Sequence, residues 1–296
     1  MELKKGDLVA LIAPAGQLSD KSVVFDAQNL LEQWGLKAII GKNALQKQGY
    51  FAGTDEQRLY DLQMALDTPE IKMIWALRGG YGTNRIIDKL DFSEFKQHPK
   101  IVAGYSDITV LHSKLNQINI PSYHIFMPVN IKENIDKNVI ELTRKAIFGE
   151  NFSYHFQASN YNKNIKKIIG IPVGGNLAIL YSMLGTDLDI DTNNKILFIE
   201  DVGEQLYQID RMIISLKKAG KLDNLKALMV GQFTQIPENE PYFGKNYQEI
   251  ILEHTKSFDY PIIFDVPTGH ITNNYPIIFG KEILIQKDKD DIIISQ

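Results

Sequence analysis

The feature that most limits the fold of this chain is an alternation of two patterns. Short apolar runs rich in β-branched residues, at residues 8–13, 36–40, 71–77 and 101–104, are separated by longer segments of helical period. The first pattern is typical of buried strands and the second of amphipathic helices. Strands that are apolar throughout are usually covered on both faces, as in a parallel sheet. The sequence therefore predicts an α/β fold.

The alternation stops near residue 134 and resumes near residue 168. Residues 151–167 are rich in Asn, Lys, Ser and Tyr and show neither period, which indicates a connection between folded units. A chain of 296 residues is long enough for two domains. We therefore expect an N-terminal α/β domain over residues 1–150, a linker over 151–167 and a C-terminal β/α domain over 168–296.

The composition excludes several classes of function. Lysine and arginine total 32 against 36 aspartate and glutamate residues, a balance that offers no basic surface for nucleic acid or an anionic membrane. The chain has no cysteine, which excludes a thiol nucleophile, a disulfide and a cysteine-ligated metal. No apolar run approaches the roughly 18–20 residues that a membrane-spanning helix needs.

One N-terminal pattern has two interpretations. Two lysines at residues 4–5 precede the apolar residues 8–13, and Ala-Pro-Ala at 13–15 resembles the cleavage site of a secretory signal. Gly-Asp at residues 6–7 interrupts this pattern, and the apolar run is at the short limit of roughly 7–15 residues for such a signal. A first β-strand is the favoured interpretation, and with it a cytoplasmic protein.

A serine directly follows one of the predicted strands. The sequence GYSD at residues 104–107 joins that strand to a helix, which is the arrangement of a nucleophile elbow. Such a turn would raise the Ser106 hydroxyl above the sheet and direct the backbone N–H of Asp107 towards developing negative charge. The G-x-S-x-G pattern is incomplete, and a helix N-cap is the alternative role for either residue.

A second turn between a strand and a predicted helix, at residues 83–89, is rich in glycine. Its sequence is RGGYG at residues 78–82. Glycines allow backbone N–H groups to approach a ligand closely and to form a nest for an anion. The nest fits a phosphate group or the oxyanion of an acyl transfer, although the Lys-Ser/Thr ending of a phosphate loop is absent. A tight turn without a ligand is the third alternative.

A serine nucleophile needs a base, and histidine is the usual one because its pKa lies near neutral pH. His270 lies in a Gly- and Asn-rich turn after a strand at residues 262–266, and His124 lies in an aromatic segment; both are candidates. His112 would project along the helix that follows Ser106. The remaining histidines are expected to be exposed or in the linker: His98, His254 and His155.

A base of this kind is commonly oriented by a carboxylate. Glu200 and Asp201 follow a predicted strand at residues 195–199. Neighbouring side chains of a strand point to opposite faces, so the residues alone leave open which of the two faces a cleft.

Five motifs occur in one order along the chain. They are RGGYG at residues 78–82, GYSD at 104–107, GGNL at 174–177, LFIED at 197–201 and GH at 269–270. This ordered set resembles the LD-carboxypeptidase family of serine peptidases. Three shorter matches extend the resemblance over residues 5–285: KGD at 5–7, YQIDR at 207–211 and GQFT at 231–234.

The resemblance implies a fold and a catalytic triad. The family has an N-terminal α/β domain that carries the nucleophile and a C-terminal domain that carries the other two members. In this chain the triad maps onto Ser106, Glu200 and His270, which selects Glu200 over Asp201.

The resemblance also implies an oxyanion hole and an assembly. The hole would use the backbone N–H of Asp107 and one from Gly79 or Gly80. The family commonly forms homodimers and needs no metal or other cofactor.

The reaction typical of the family releases the terminal D-alanine of a murein tetrapeptide. The leaving residue carries a carboxylate, which we expect a cation, Arg78 or Arg85, to bind. Tyr81 and Asn176 are two further expected substrate contacts. A surface ion pair is the alternative role of the two arginines. The loop at residues 124–128, HIFMP, departs from the His-Gly-Pro-Met pattern of many relatives, so the substrate pocket is expected to differ there.

Two other functions stay open. A branch of the family cleaves peptide-nucleotide antibiotics of the microcin type, although this compact chain has no long insertion to stack on a base. A protein that binds a nucleotide or phosphate without catalysis would use the glycine turn at residues 78–82 and keep Ser106 as a helix cap.

Overall fold

The computed structural model describes residues 1–163, 165–238 and 240–296. Its strands, in chain order, are β1 (Leu8–Ile12), β2 (Lys37–Ile40), β3 (Ile71–Ala76), β4 (Ile101–Gly104), β5 (Ser122–His124), β6 (Ser153–Gln157), β7 (Lys167–Gly170), β8 (Pro172–Asn176), β9 (Ile196–Val202), β10 (Ala227–Thr234), β11 (Ile262–Ile263), β12 (Ile277–Phe279), β13 (Ile283–Asp288) and β14 (Asp291–Ser295). The α-helices are α1 (Ser22–Gln33), α2 (Asp55–Asp67), α3 (Ser93–Gln97), α4 (Thr109–Gln117), α5 (Lys137–Ile147), α6 (Leu177–Ser182), α7 (Leu206–Lys218) and α8 (Tyr247–Thr255).

The first sheet has six strands in the order β12-β5-β4-β3-β1-β2. All of its pairs are parallel except β12 with β5. Along β1, Val9 and Leu11 join one apolar core while Ala10 and Ile12 join another, so the strand is covered on both faces. The prediction of a parallel sheet covered on both faces is confirmed for β1, and so is the strand interpretation of the N-terminal apolar run. It is wrong for the edge strand β2, where Ile39 and Ile40 are each 38% exposed because no further strand covers that edge.

The second half of the chain builds two further sheets. One is parallel, in the order β11-β10-β9-β8, and the other is antiparallel, in the order β6-β14-β13-β7. Within the antiparallel sheet, β13 and β14 form a hairpin. Both apolar cores that flank the first sheet also contain residues of β9 and β10, so the halves of the chain share their cores.

The segment predicted as a linker contains regular structure. β6 pairs with β14 over its full length, and its Tyr154 is buried. The expectation that residues 151–167 have no periodic pattern is therefore wrong for residues 153–157, where buried and exposed side chains alternate. Polar side chains on the exposed face hid this alternation. The division of the chain into two domains stays a prediction.

One C-terminal strand lies in the N-terminal sheet. β12 pairs with β5 in the register Ile277↔His124. The chain's last residue holds β12 in place, since the Gln296 amide donates to Ile278 O at 2.9 Å and accepts from Ile278 N at 2.8 Å. Strand β12 therefore fastens the two halves of the chain to each other.

Helix α2 begins with a capping box, in which the Thr54 side chain accepts from Gln57 N and the Gln57 side chain accepts from Thr54 N. The single helix predicted over residues 83–89 is wrong. Two short 3₁₀ helices, Thr83–Arg85 and Ile87–Lys89, replace it, and they meet at Ile86, whose φ is −118°.

Among the described residues, no helix combines the length and the apolar character that crossing a bilayer requires.

Replacing Ile277 in β12 with alanine tests the role of this strand. Ile277 is fully buried, so the cavity should lower the free energy of unfolding by about 2–5 kcal/mol. Ile169→Ala, at an exposed position in β7, is the matched control and should change it by less than about 0.5 kcal/mol. Urea unfolding measures both values. Equal effects of the two substitutions would contradict the contribution of β12 packing to stability.

Candidate active site

Ser106 lies in a strained turn at the carboxyl end of a central strand. β4 ends at Gly104, Ser106 follows with φ 63°, and a 3₁₀ turn then leads into α4. A positive φ is uncommon for residues other than glycine and is often found at functional sites. The strand, the strained serine and the following helix together have the geometry of a nucleophile elbow.

The glycine turn lies directly against this serine. A β-carbon added at Gly79 would lie 3.0 Å from Ser106 Oγ and 2.8 Å from Ser106 Cβ, so only glycine fits there. Gly79 O accepts a hydrogen bond of 3.0 Å from Gly16 N. The N–H groups of Gly79 and Gly80 have no hydrogen-bond partner among the described residues. Backbone donors are thus available beside the serine hydroxyl.

Two buried charged side chains hold the glycine turn in place. Arg58 donates to Pro14 O at 2.6 Å and to Gly82 O at 2.8 Å, and it also contacts Asp55. Asp107, the residue after the serine, accepts from Thr83 N at 2.8 Å. Burial raises the pKa of Asp107 above its ordinary value. The Asp107 side chain therefore links the serine turn to the glycine turn, in addition to the direct contact between Ser106 and Gly79.

His270 is bound to a buried carboxylate. Its Nδ1 lies 2.7 Å from Glu200 Oε2, and Glu200 is fully buried. Since a carboxylate only accepts, Nδ1 carries the proton and Nε2 is left to accept one. Burial lowers the pKa of His270, but the charge of Glu200, its hydrogen bond and the charge of Asp201 together outweigh burial, so the pKa is raised above its usual value.

The turn that carries His270 is shaped by glycine. Gly269 has φ 131°, and a β-carbon there would lie 2.9 Å from Glu200 Oε2. Gly269 N donates to Asn274 Oδ1 at 2.9 Å, and Gln232 N donates to Thr268 O at 3.0 Å. These bonds place the imidazole against the end of β9.

The two halves of the site meet through Tyr105. Its ring lies 4.9 Å from the His270 ring between centroids, in an edge-on arrangement, and Tyr105 directly precedes Ser106 in the chain. Within the described parts of the chain, no hydrogen bond joins Ser106 Oγ to the His270 imidazole. Catalytic hydrogen bonds often shorten only when substrate binds.

The two neighbouring carboxylates have different partners, His270 for Glu200 and Asn176 for Asp201. β9 continues to Val202, so Glu200 and Asp201 lie within the strand and point to opposite faces. The expectation that both follow the end of this strand is wrong, because β9 still pairs with β10 at Asp201 and Val202.

Asp201 supports the start of α6 on the other side of the strand. It accepts from Asn176 Nδ2 and from Ala178 N, each at 2.9 Å, and burial raises its pKa to about 7. Asn176 Oδ1 accepts in turn from Ile179 N. The amide of Asn176, a predicted substrate contact, is thus engaged within the fold.

The other predicted substrate contacts lie around the glycine turn. Arg78 donates to Gln17 O at 2.6 Å and is half-buried. Arg85 is paired with Asp55 at 2.9 Å, which is the surface ion pair considered as its alternative role. Tyr81 is 48% exposed.

The remaining histidines differ in their surroundings. His124 is fully buried, and neither ring nitrogen has a partner among the described residues, so burial holds its pKa well below the usual range. His112 is buried between Ser122 Oγ and Gly104 O, at 2.8 and 3.0 Å. His254 was expected to be exposed, but it is half-buried and bonded to Asp210 at 2.7 Å. Of the two candidate bases, only His270 has a carboxylate partner.

A cavity of about 290 Å³ lies beside the imidazole. It is lined by Tyr105, Asn130, Glu133, Val202, Gln235, His270, Ile271 and Thr272. No sequence motif marks residues 130–133 or Arg58, because their roles come from contacts with distant segments. In the part of the chain that the structure describes, no three His, Asp or Glu side chains form a group that could hold a metal ion.

Comparison with known proteins agrees with this architecture. Residues 9–125 match the LD-carboxypeptidase N-terminal domain, and residues 169–285 match the C-terminal domain of the same family. A probable murein peptide carboxypeptidase of Bacillus subtilis is 33% identical, over 99% of this chain and 93% of its own. A murein tetrapeptide carboxypeptidase of Pseudomonas aeruginosa is 28% identical, over 95% and 94%.

Solved structures show the same fold. A muramoyltetrapeptide carboxypeptidase from Oxalobacter formigenes matches with TM-score 0.87 and 24% identity, over 97% of this chain and 98% of its own. The protein MccF in complex with glutamyl sulfamoyl guanosine matches with TM-score 0.88 and 20% identity, over 100% and 97%.

The fold and the matches along the whole chain define a peptidase of two-part α/β architecture. The chain belongs to the LD-carboxypeptidase family.

Glu200→Gln tests the electrostatics of the histidine. A neutral amide does not stabilise the imidazolium, so the pKa of His270 should fall. An NMR titration of the His270 ring measures this change. Asp210→Asn, which breaks the His254 pair instead, is the matched control and should leave the titration of His270 unchanged. An unaltered His270 pKa in Glu200→Gln would contradict the assigned coupling.

The same pair predicts how stability changes with pH. The pKa of His270 is higher in the folded state than the value of about 6.5 in an unfolded chain. Its proton-linked contribution to stability is therefore complete below about pH 6.5 and is lost as pH rises through the folded pKa. Urea midpoints of wild type and Glu200→Gln should accordingly converge with rising pH, and a difference that widens would contradict the pairing.

Proposed function

We propose that this chain is a serine carboxypeptidase that releases the terminal D-alanine from a murein tetrapeptide during cell-wall recycling. The bond cleaved would join an L-centre, the diamino acid, to the D-residue. The observation that carries the proposal is the meeting of the strained Ser106 turn with the Glu200–His270 pair across Tyr105. The murein relatives that match along nearly the whole chain support the substrate class.

In the proposed mechanism, Ser106 Oγ attacks the carbonyl carbon that precedes the D-residue. His270 Nε2 takes the hydroxyl proton, while Glu200 holds the tautomer and stabilises the imidazolium. The C–N bond then breaks, and His270 gives its proton to the leaving amine. Water hydrolyses the acyl-enzyme with His270 again as base, which restores the serine and releases the shortened peptide.

The oxyanion of each tetrahedral intermediate would be bound by backbone N–H groups. The proposed donors are Asp107 and one of Gly79 and Gly80. The close approach of Gly79 to the serine and the unpartnered N–H groups of the glycine turn support this assignment. Arg58 and the Asp107 carboxylate would keep these donors in position.

The leaving carboxylate needs a cation close to the serine. Of the proposed substrate contacts, Arg78 fits best, because Arg85 is paired with Asp55 and the Asn176 amide is engaged within the fold. Tyr81 would contribute an exposed ring at the same turn. A homodimer is the proposed assembly and the cytoplasm the proposed location.

Ser106→Ala tests the nucleophile. Because the triad acts as a unit, kcat for a murein tetrapeptide should fall by a factor on the order of 10⁴–10⁶ while folding is unchanged. Mass spectrometry of muropeptides follows the conversion of tetrapeptide to tripeptide. Ser182→Ala, which removes an exposed hydroxyl on α6, is the matched control and should retain full turnover. Turnover within tenfold of wild type in Ser106→Ala would refute the assignment.

Two comparisons separate this function from its alternatives. An aminoacyl sulfamoyl nucleotide in the same assay tests the activity of the microcin type; a higher kcat/KM than for the tetrapeptide would favour that branch. A serine-reactive phosphonate should label Ser106. Nucleotide binding by calorimetry without any labelling would favour a binding protein that performs no catalysis.

A further inference from the structure

The cavity beside His270 has an uneven distribution of charge. Its described lining contains one carboxylate, that of Glu133, and neither lysine nor arginine. Glu133 forms no ion pair within 4.0 Å in the described residues. The adjacent cation, Lys132, is paired with Asp20 at 2.6 Å. The cavity therefore presents a negative charge that the protein itself does not neutralise.

The Glu133 carboxylate is held in position by a buried amide. Asn130, 6% exposed, donates from Nδ2 to Glu133 Oε1 at 3.2 Å. The other end of this amide is fixed as well, because Asn130 Oδ1 accepts from Met127 N at 3.1 Å. Glu133 is thus directed by a side chain that is itself anchored to the backbone.

The cavity also adjoins the proposed catalytic residues. It is lined by His270 and by Tyr105, the residue immediately before Ser106. In the proposed reaction, the substrate residues nearest to it are the two that flank the cleaved bond. The leaving D-residue carries a carboxylate, which Glu133 would repel. A cationic group on the acyl side fits instead.

We propose that this cavity receives the side-chain ammonium of the diamino acid on the acyl side of the scissile bond, and that Glu133 determines specificity for it. This inference rests on the proposed function. Lysine ends in such an ammonium alone, whereas diaminopimelate carries a carboxylate beside its ammonium, and a volume of about 290 Å³ leaves room for either side chain. Glu133 acts on binding alone, so its effect should appear mainly in KM.

The test compares two tetrapeptides that differ only in the third residue, L-lysine in one and L-norleucine in the other. Norleucine keeps the alkyl chain and lacks the amine. Wild type should prefer the lysine peptide in kcat/KM by about fivefold, the ratio that an exposed ion pair of ~1 kcal/mol gives. In Glu133→Gln this preference should fall to near one. Glu94→Gln, a surface carboxylate on α3, is the matched control and should keep the wild-type ratio.

A second variant guards against a misfolded protein. Glu133→Lys should reverse the preference in favour of norleucine, because it places two ammonium groups together. The lysine and diaminopimelate peptides are run side by side, and the higher kcat/KM identifies the source of the ammonium.

The outcomes separate this inference from the proposed function. If wild type hydrolyses the lysine and norleucine peptides equally well, or if Glu133→Gln and Glu133→Lys keep the wild-type ratio, the inference is overturned while the proposed function stands. If wild type cleaves none of the peptides, the proposed function fails and the inference fails with it.

Discussion

The hydrogen bond between Glu200 and His270 is the interaction on which the site depends. It joins residues that are 70 positions apart, and the Glu200 carboxylate that accepts it is fully buried. A buried charge of this kind is tolerated only when it is paired, so the surrounding turn must keep the imidazole in place. Gly269 makes this approach feasible, because a side chain there would collide with the carboxylate. The lack of a side chain at Gly269 thereby allows the hydrogen bond that raises the pKa of His270.

The serine side of the site is held by a different device. A positive φ at Ser106 is costly, and the glycine turn that lies against it must stay still. Arg58 and Asp107 provide this rigidity through hydrogen bonds to the backbone at Gly82 and at the adjoining Thr83. Neither side chain reaches the reacting atoms in the proposed mechanism. They contribute by keeping the backbone donors at fixed positions. Fixed donors stabilise an oxyanion strongly because they need no reorganisation during the reaction.

The two sides come together because the halves of the chain are interwoven. β12 belongs to the C-terminal half and yet completes the N-terminal sheet, and both apolar cores include residues of β9 and β10. Asn176 N also donates to Thr109 Oγ1 at 3.0 Å, which ties β8 to the helix that follows the serine. The position of His270 relative to Ser106 is therefore a property of the whole core and not of a flexible hinge.

Much of this protein could be predicted from its sequence. The alternation of patterns predicted the parallel sheet, and the ordered motifs pointed to the family and to Ser106, Glu200 and His270. These features are encoded by neighbouring residues. Only the tertiary structure decided that Glu200 meets His270, that Arg58 supports the glycine turn and that Glu133 faces a cavity. Each of these depends on contacts between distant segments, and such contacts exist only once the sheets have packed together.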